Sequence, residues 1–512
     1  MNISSKSLPK LTNNTFRILS VGLLIFYVIN NLKNNIYEVL FIDERLLIDH
    51  IYNIWLIEDI YNRFSNISNQ SLKNILIIFI EFAYGGDLRY GRLWSNFFTI
   101  IAGPAIFISD TVVIILSRIL NSLLFFFGAY FLSRNLVDKK YLWISVFTIY
   151  SFSQVEILHR VPKPEPMVIL FLAIGLKYLL SEKYYLSIFF MGIASFLKIN
   201  AIVIFFFIWI FIFFHSNINK LRLVINSIFI TIGSLLVVNP ILIIPPLEIG
   251  SINIPNFYKI YFNWLTTQGS NADQIIFNIS YASRWIESFS NFYQFPNKYI
   301  FLFAITIIFG FAVNKIVKSP DALSKYLLII FCFYVLFYFF FLERVWTRYL
   351  HLPLALLLIA YLRSLSSKNK NYIPVTIIFL FALVGNISNM DRYLNDTTFF
   401  MNERLDYVDV VTQKDAENLV NEVVNEIKLI YEKNNHLNKN LVYWHPDLIT
   451  PRNKVTYDEE FYVREYWGNK DNVSFAIEDG DIFVTYTNYT IPDNVVKSQI
   501  KNFYIYYLNK TN

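Results

Sequence analysis

Residues 184 to 215 read YYLSIFFMGIASFLKINAIVIFFFIWIFIFFH, and this stretch decides the fold. Both halves are almost wholly apolar, so neither offers water a polar side, and a helix of that kind is buried in lipid or among other helices. Lys198 is the only Lys, Arg, Asp or Glu in the stretch, and it falls between the runs 184–197 and 199–214. The reading that follows is two membrane spans joined by a turn of a few residues. A lone ammonium in such a turn must find an anion or water.

The same pattern recurs along the chain. Of its 512 residues 55% are hydrophobic and only 16% charged, which excludes an ordinary soluble globule. A bilayer crossing takes about 20 apolar residues, and breaking the apolar runs at charged turns predicts about 11 spans. They fall near 16–32, 110–132, 141–157, 166–180, 184–197, 199–214, 223–245, 298–314, 326–342, 350–362 and 373–388, and the composition turns polar after that. The expected architecture is an all-α polytopic membrane domain over residues 1–390 and a small extracytoplasmic α/β domain over 391–512. In the tail, Lys414 to Tyr431 is predicted as a helix capped by Thr412, with Val423, Val424, Ile427 and Ile430 on one face. Strands are predicted at 441–444, 461–466 and 482–486.

The net charge of +6 comes from bases spread between hydrophobic segments, a distribution that speaks for membrane topology and against a nucleic-acid partner. With the N-terminus cytoplasmic, the inner turns hold Arg134, Lys139 and Lys140, then Lys177 and Lys183, then Lys220 and Arg222, then Lys315, Lys318 and Lys325, then Arg363, Lys368 and Lys370. Every inner turn is then positive, as the positive-inside rule requires. The loops 33–109 and 246–297 and the tail face outward, as expected for a multi-pass protein of a bacterial inner membrane. The first segment, flanked by Lys6, Lys10 and Arg17 without a small-residue cleavage site, is expected to be retained. The single cysteine, Cys332, rules out a disulfide framework and a Cys-based zinc site. In the first outer loop Leu47, His50, Ile51 and Trp55 recur at helical spacing, which predicts a helix lying along the interface. Trp264, Trp285 and Tyr258 are expected at the membrane interface, with stacking on a sugar as the other reading.

Ionisable groups collect on the expected outer face. Asp43, Glu44 and Arg45 follow the first span; Asp87, Arg89 and Arg92 precede the second; Glu156, His159, Arg160, Lys163 and Glu165 join the third and fourth. Lys198 lies between the fifth and sixth, and Glu343, Arg344, Arg348 and His351 join the ninth and tenth. A carboxylate can take a proton from an acceptor hydroxyl or amine, and guanidinium or ammonium groups can hold a phosphate leaving group. Each also has a plain structural reading: Asp43 and Glu44 as a solvated loop pair or a helix start, Arg160 and Lys163 as side chains reaching headgroup level. His159 and His351 have no partner at metal-ligand spacing, so no metal is expected. The chain has no Gly-rich phosphate loop, no serine nucleophile elbow and no His-Glu-x-x-His, which leaves ATP coupling and those hydrolases without support.

Five short elements run in order: Asp43-Glu44, Ser117-Arg118-Ile119-Leu120, Lys163-Pro164-Glu165-Pro166, Gly192-Ile193-Ala194-Ser195-Phe196-Leu197-Lys198, and Arg348-Tyr349-Leu350-His351-Leu352-Pro353. Their order and placement over residues 16 to 390 resemble the GT-C superfamily of membrane glycosyltransferases, near the protein O-mannosyltransferases and the bacterial aminoarabinose transferases of lipid A. The resemblance implies inverting transfer of a sugar from a polyprenyl-phosphate donor to a lipid, glycan or protein acceptor on the outer face, with no cofactor. It implies Asp43 as general base with Glu44 beside it, and Lys198 and Arg348, with Arg160 and Lys163, as holders of the donor phosphate. Asp87, Arg89 and Glu165 are the acceptor-side candidates; the family's second acidic element in the first loop is matched here only by Glu81 or Asp87. A competing expectation is a transporter or flippase of lipid-linked saccharides, against which stands the lack of paired repeats in the sequence. A third, an O-antigen polymerase or ligase, places its key bases in a large late loop and has no need of an early acidic pair.

Overall fold

The computed structural model describes residues 7–34, 92–151, 162–198, 201–243, 247–249, 252–254, 277–292, 298–341, 350–365, 413–433, 441–444, 462–465, 482–485, 495–500 and 503–508, with Leu47, His50, Ile51 and Trp55. Most of it is helical. The helices are α1 (Ser7–Asn34), α2 (Arg92–Ile101), α3 (Asp110–Leu136), α4 (Leu142–Tyr150), α5 (Glu165–Leu180), α6 (Tyr184–Leu197), α7 (Ile202–His215), α8 (Lys220–Val238), α9 (Ile279–Phe292), α10 (Lys298–Val317), α11 (Ala322–Phe341), α12 (His351–Ser364) and α13 (Gln413–Lys433). A helix occupies every predicted span but the last, 373–388, which lies outside the described residues.

The expected count of about 11 crossings is not confirmed among the described residues. Among the described residues three helices, at Val112–Leu136, Lys220–Val238 and Ala322–Phe341, are long and apolar enough to cross a membrane. The reason is length. A residue adds 1.5 Å to a helix, so the 14 residues of α6 or α7 reach about 21 Å, less than the roughly 30 Å hydrocarbon core. Three spanning helices are consistent with a membrane protein, and so are the lipid-like outer faces: Ile18, Ile25 and Ile29 on α1, Phe206 and Phe214 on α7, and Ile228, Phe229 and Ile232 on α8 are exposed. In water such patches would drive aggregation.

Aromatic contacts and small polar side chains join the helices. Phe16 and Tyr27 of α1 meet Phe147 and Tyr150 of α4, with ring centroids 5.7 and 5.6 Å apart. The Ser133 hydroxyl of α3 donates to Ser145 of α4 at 2.8 Å, and the Trp209 indole of α7 donates to Ser227 of α8 at 3.0 Å. Such bonds hold helices together where apolar burial alone does not discriminate between neighbours and lipid. Ser109 caps α3 by accepting from the Val112 N–H at 3.3 Å, and Asn219 caps α8 by accepting from Arg222 N–H at 3.2 Å.

The tail forms the predicted helix as α13, with Val423, Val424, Ile427 and Ile430 buried; the expected cap, Thr412, lies outside the described residues. Its strands are β3 (Leu441–Trp444), β4 (Tyr462–Glu465), β5 (Ile482–Thr485), β6 (Val495–Ile500) and β7 (Phe503–Leu508), following a β1–β2 pair (Leu247–Ile249 and Ile252–Ile254) in the upstream loop. The sheet order is β4-β3-β5-β7-β6; β3 runs parallel to β4 and β5, and β7 antiparallel to β5 and β6. Three of these strands were expected. The β6–β7 hairpin, registered from Ile500 opposite Phe503, was not, although two β-rich runs two residues apart are a hairpin signal.

Candidate functional site

The site begins with a helical hairpin. Pro164 stands at the N-cap of α5 with Glu165 in the first turn, and proline suits that position because its missing N–H is not needed there. At the far end of α5 the chain reverses: Lys183 N–H donates to Tyr178 O at 2.9 Å and Glu182 N–H to Leu179 O at 3.0 Å, with Glu182 left-handed at φ 56°. Helix α6 then runs back beside α5 and ends at Lys198, whose extended backbone (φ −151°, ψ 119°) stops it. The first residue of one helix therefore meets the cap of the other.

There the Lys198 ammonium donates to the Glu165 carboxylate, and both side chains are only 14% exposed. Helix polarity favours both charges, since a helix N-terminus attracts an anion and a C-terminus a cation. The Ser195 hydroxyl donates to Met191 O at 2.9 Å and also lies 3.3 Å from Ala201 O, tying the end of α6 to the start of α7.

A small cleft of about 30 Å³ opens beside this pair, walled by Glu165, Lys198, Tyr334, Tyr338 and His351 with apolar side chains between them. Tyr334 and Tyr338 stand one turn apart on α11, their centroids 5.5 Å apart. Trp285 of α9 stacks on Tyr338 at 5.9 Å and is wholly buried. Trp285 is therefore closed to a sugar and braces Tyr338, against the reading that it stacks on one. His351 opens α12 and is buried, with Phe125 edge-on at 5.1 Å. Its Nε2 lies 3.2 Å from Ile149 O; a carbonyl only accepts, so Nε2 carries the proton and donates.

Of the residues chosen from sequence, Lys198 and Glu165 come together in this cleft. The family resemblance puts Lys198 on the phosphate side of the reaction and Glu165 on the acceptor side; the structure makes them one charge pair. Lys163 does not line the cleft. It is 1% exposed, and its backbone N–H donates to Asn121 Oδ1 on α3 at 3.2 Å, so its side chain is enclosed by protein. Arg118, one turn earlier on α3, is equally buried. Asp43, Glu44, Asp87, Arg89, Arg160 and Arg348 lie outside the described residues, as do Trp264 and Tyr258. The two tyrosines were missed because phenols in an apolar run look like packing; their spacing of four was the available signal. Among the described residues no group of three or more His, Cys, Asp or Glu is placed to hold a metal ion.

A second polar cluster packs the segment bearing His50 and Trp55 onto α2. Leu47, His50 and Ile51 are buried, so this segment faces protein along that side. His50 Nε2 lies 3.1 Å from Asn96 Oδ1, Trp55 donates to Thr99 O at 2.9 Å, and Arg92 N–H donates to Asn239 Oδ1 at 3.2 Å. Burial above all, helped by the Arg92 charge and opposed by the Asn96 hydrogen bond, lowers the His50 pKa to about 4.

Comparison with family models, curated proteins and solved structures finds no match to this chain. The fold and site define a predominantly helical chain, consistent with a membrane protein, that holds a half-enclosed acid–base pair at the mouth of an apolar cleft.

Proposed function

We propose that the chain is a glycosyltransferase that moves a sugar from a polyprenyl-phosphate donor to an acceptor on the outer face of the membrane. The observation that carries the reading is the Lys198 ammonium held at the mouth of a mostly apolar, phenol-walled cleft. A lipid phosphate needs a cation for its head and an apolar path for its chain. Phenol and imidazole groups beside that cation suit a polyhydroxylated ring.

In the proposed step the acceptor oxygen or nitrogen attacks the anomeric carbon, and the Asp43 carboxylate takes its proton. The bond from the anomeric carbon to the phosphate oxygen breaks, and the polyprenyl phosphate leaves with the electron pair. Attack opposite the leaving group inverts the anomeric centre. Lys198, with Arg348, steadies the charge growing on the phosphate.

The test is transfer of labelled sugar from a polyprenyl-phosphate donor by the purified full chain in nanodiscs. Asp43→Asn and Lys198→Ala are each expected to lower the rate at least a hundredfold while the protein stays folded and inserted. Normal turnover by Asp43→Asn would sink the base assignment. Movement of the donor across the bilayer with its sugar still attached would favour the transporter reading instead.

A further inference from the structure

We infer that Glu165 is a displaceable counter-ion that holds the phosphate seat on Lys198 between turnovers and expels the spent lipid phosphate. The inference rests on the glycosyltransferase reading and adds a step to it. It starts from the pairing: Lys198 donates to the Glu165 carboxylate, and both line the cleft. A phosphate that takes Lys198 must compete with Glu165 for the same ammonium.

Three features make the exchange workable. Glu165 sits in the first turn of α5, where backbone N–H groups and the helix dipole favour its negative charge after Lys198 has turned to another anion. The pair is 14% exposed on each side, so it lies at the cleft mouth within a newcomer's reach. Lys198 caps a helix on extended backbone and has a flexible stem, so its ammonium can swing while its backbone stays in place.

The direction follows from charge. The donor is a phosphodiester with one negative charge; the product is a monoester with up to two, since its second ionisation falls near pH 6. Product therefore grips Lys198 harder than donor does. The Glu165 carboxylate beside the seat repels a doubly charged product more than a singly charged donor, which offsets that advantage, and its return to Lys198 releases the product. Glu165 is thus a positioning residue that acts through Lys198, with no contact to the reacting carbon.

The experiment measures binding of a short-chain polyprenyl phosphate to the full chain in nanodiscs, beside steady-state transfer kinetics. Glu165→Gln is expected to bind the product about tenfold tighter than wild type, with donor KM and kcat falling together and kcat/KM nearly unchanged. Lys198→Ala removes the effect, so Glu165→Gln in that background changes nothing further. Product affinity that is unchanged or weaker in Glu165→Gln overturns the inference. If Glu165→Gln does not fold, Glu165→Asp serves: its shorter carboxylate pairs less well, so tighter product binding than wild type is expected, and equal or weaker binding refutes the idea. Wild-type protein that transfers sugar normally while these variants fail locates the failure in this inference; wild-type protein that neither binds the lipid phosphate nor transfers sugar removes both readings.

Discussion

At the level of single residues, Arg363 shows how one side chain can tie distant parts of the chain together. Its guanidinium donates to both Asp321 carboxylate oxygens, at 2.7 and 3.2 Å, and to Leu136 O at 2.9 Å. It thereby joins the end of α12, the start of α11 and the end of α3. Burial alone would raise the Asp321 pKa, but hydrogen bonds from Arg363 and Ser324 outweigh it and hold the carboxyl below its ordinary value. A depressed carboxylate contributes stability that is present above the unfolded pKa, about 3.9, and is lost as pH falls through the folded value. Between pH 5 and 8 the clamp is therefore constant. Arg363→Ala leaves a half-buried carboxylate and a carbonyl without their donor, and a loss of about 2 to 3 kcal/mol is expected. Thermal unfolding in detergent at pH 7 checks it; a shift no larger than that of an exposed lysine variant such as Lys318→Ala would show the clamp to be idle.

At the level of elements, the hairpin of α5 and α6 depends on close approach to a third helix. A Cβ built on Gly192 would stand 2.7 Å from Ser234 Oγ and 2.8 Å from its Cβ on α8. Ser234 also donates to Phe189 O at 2.9 Å, so it cannot move aside without cost. The glycine that opens the element ending in Lys198 is thus a packing device, six residues before the charge it helps to place. Gly192→Ala is expected to push α8 away and cost about 1 to 3 kcal/mol, lowering the unfolding temperature and loosening the cleft. Alanine at Gly233, which has open space around it, is the control and should be neutral or slightly stabilising.

At the level of the whole molecule, the cleft and the Arg363 clamp occupy opposite ends of the same helices. Tyr334 lies 13 residues beyond Asp321 and His351 lies 12 before Arg363, about 20 Å apart at the helical rise. The clamp fixes one end; the segment bearing His50 is docked on α2. Because the His50 pKa falls from 6.5 to about 4 on folding, the unfolded chain binds the extra proton between those values. Stability from this site is full above about pH 6.5 and is lost as pH falls toward 4. From pH 7 to pH 5 the wild type should lose on the order of 2 kcal/mol that a His50→Gln variant keeps. Parallel unfolding curves for the two proteins across that range would contradict the buried docking of His50.

Much of this was legible in the chain itself. Apolar runs and charged turns located most of the helices, though not α2 and α9, which lie within stretches read as loops; backbone buried in lipid must satisfy its own hydrogen bonds, which favours helix. Lys198 was marked as a residue in need of an anion, since the sequence held no other charge near it. Which anion was beyond sequence reading: Glu165 is 33 residues away and was placed on the other side of the reaction. Helix lengths set by extended and left-handed backbone at Lys198 and Glu182, the burial of Lys163 and Trp285, and the meeting of Tyr334 and Tyr338 with His351 in the cleft arise only when helices pack. Periodicity fixes which residues share a helix; it carries no record of which helix end faces which. Local chemistry therefore determined the elements and the candidate charges, and the tertiary structure decided their partners, because an ion pair depends on distance in space.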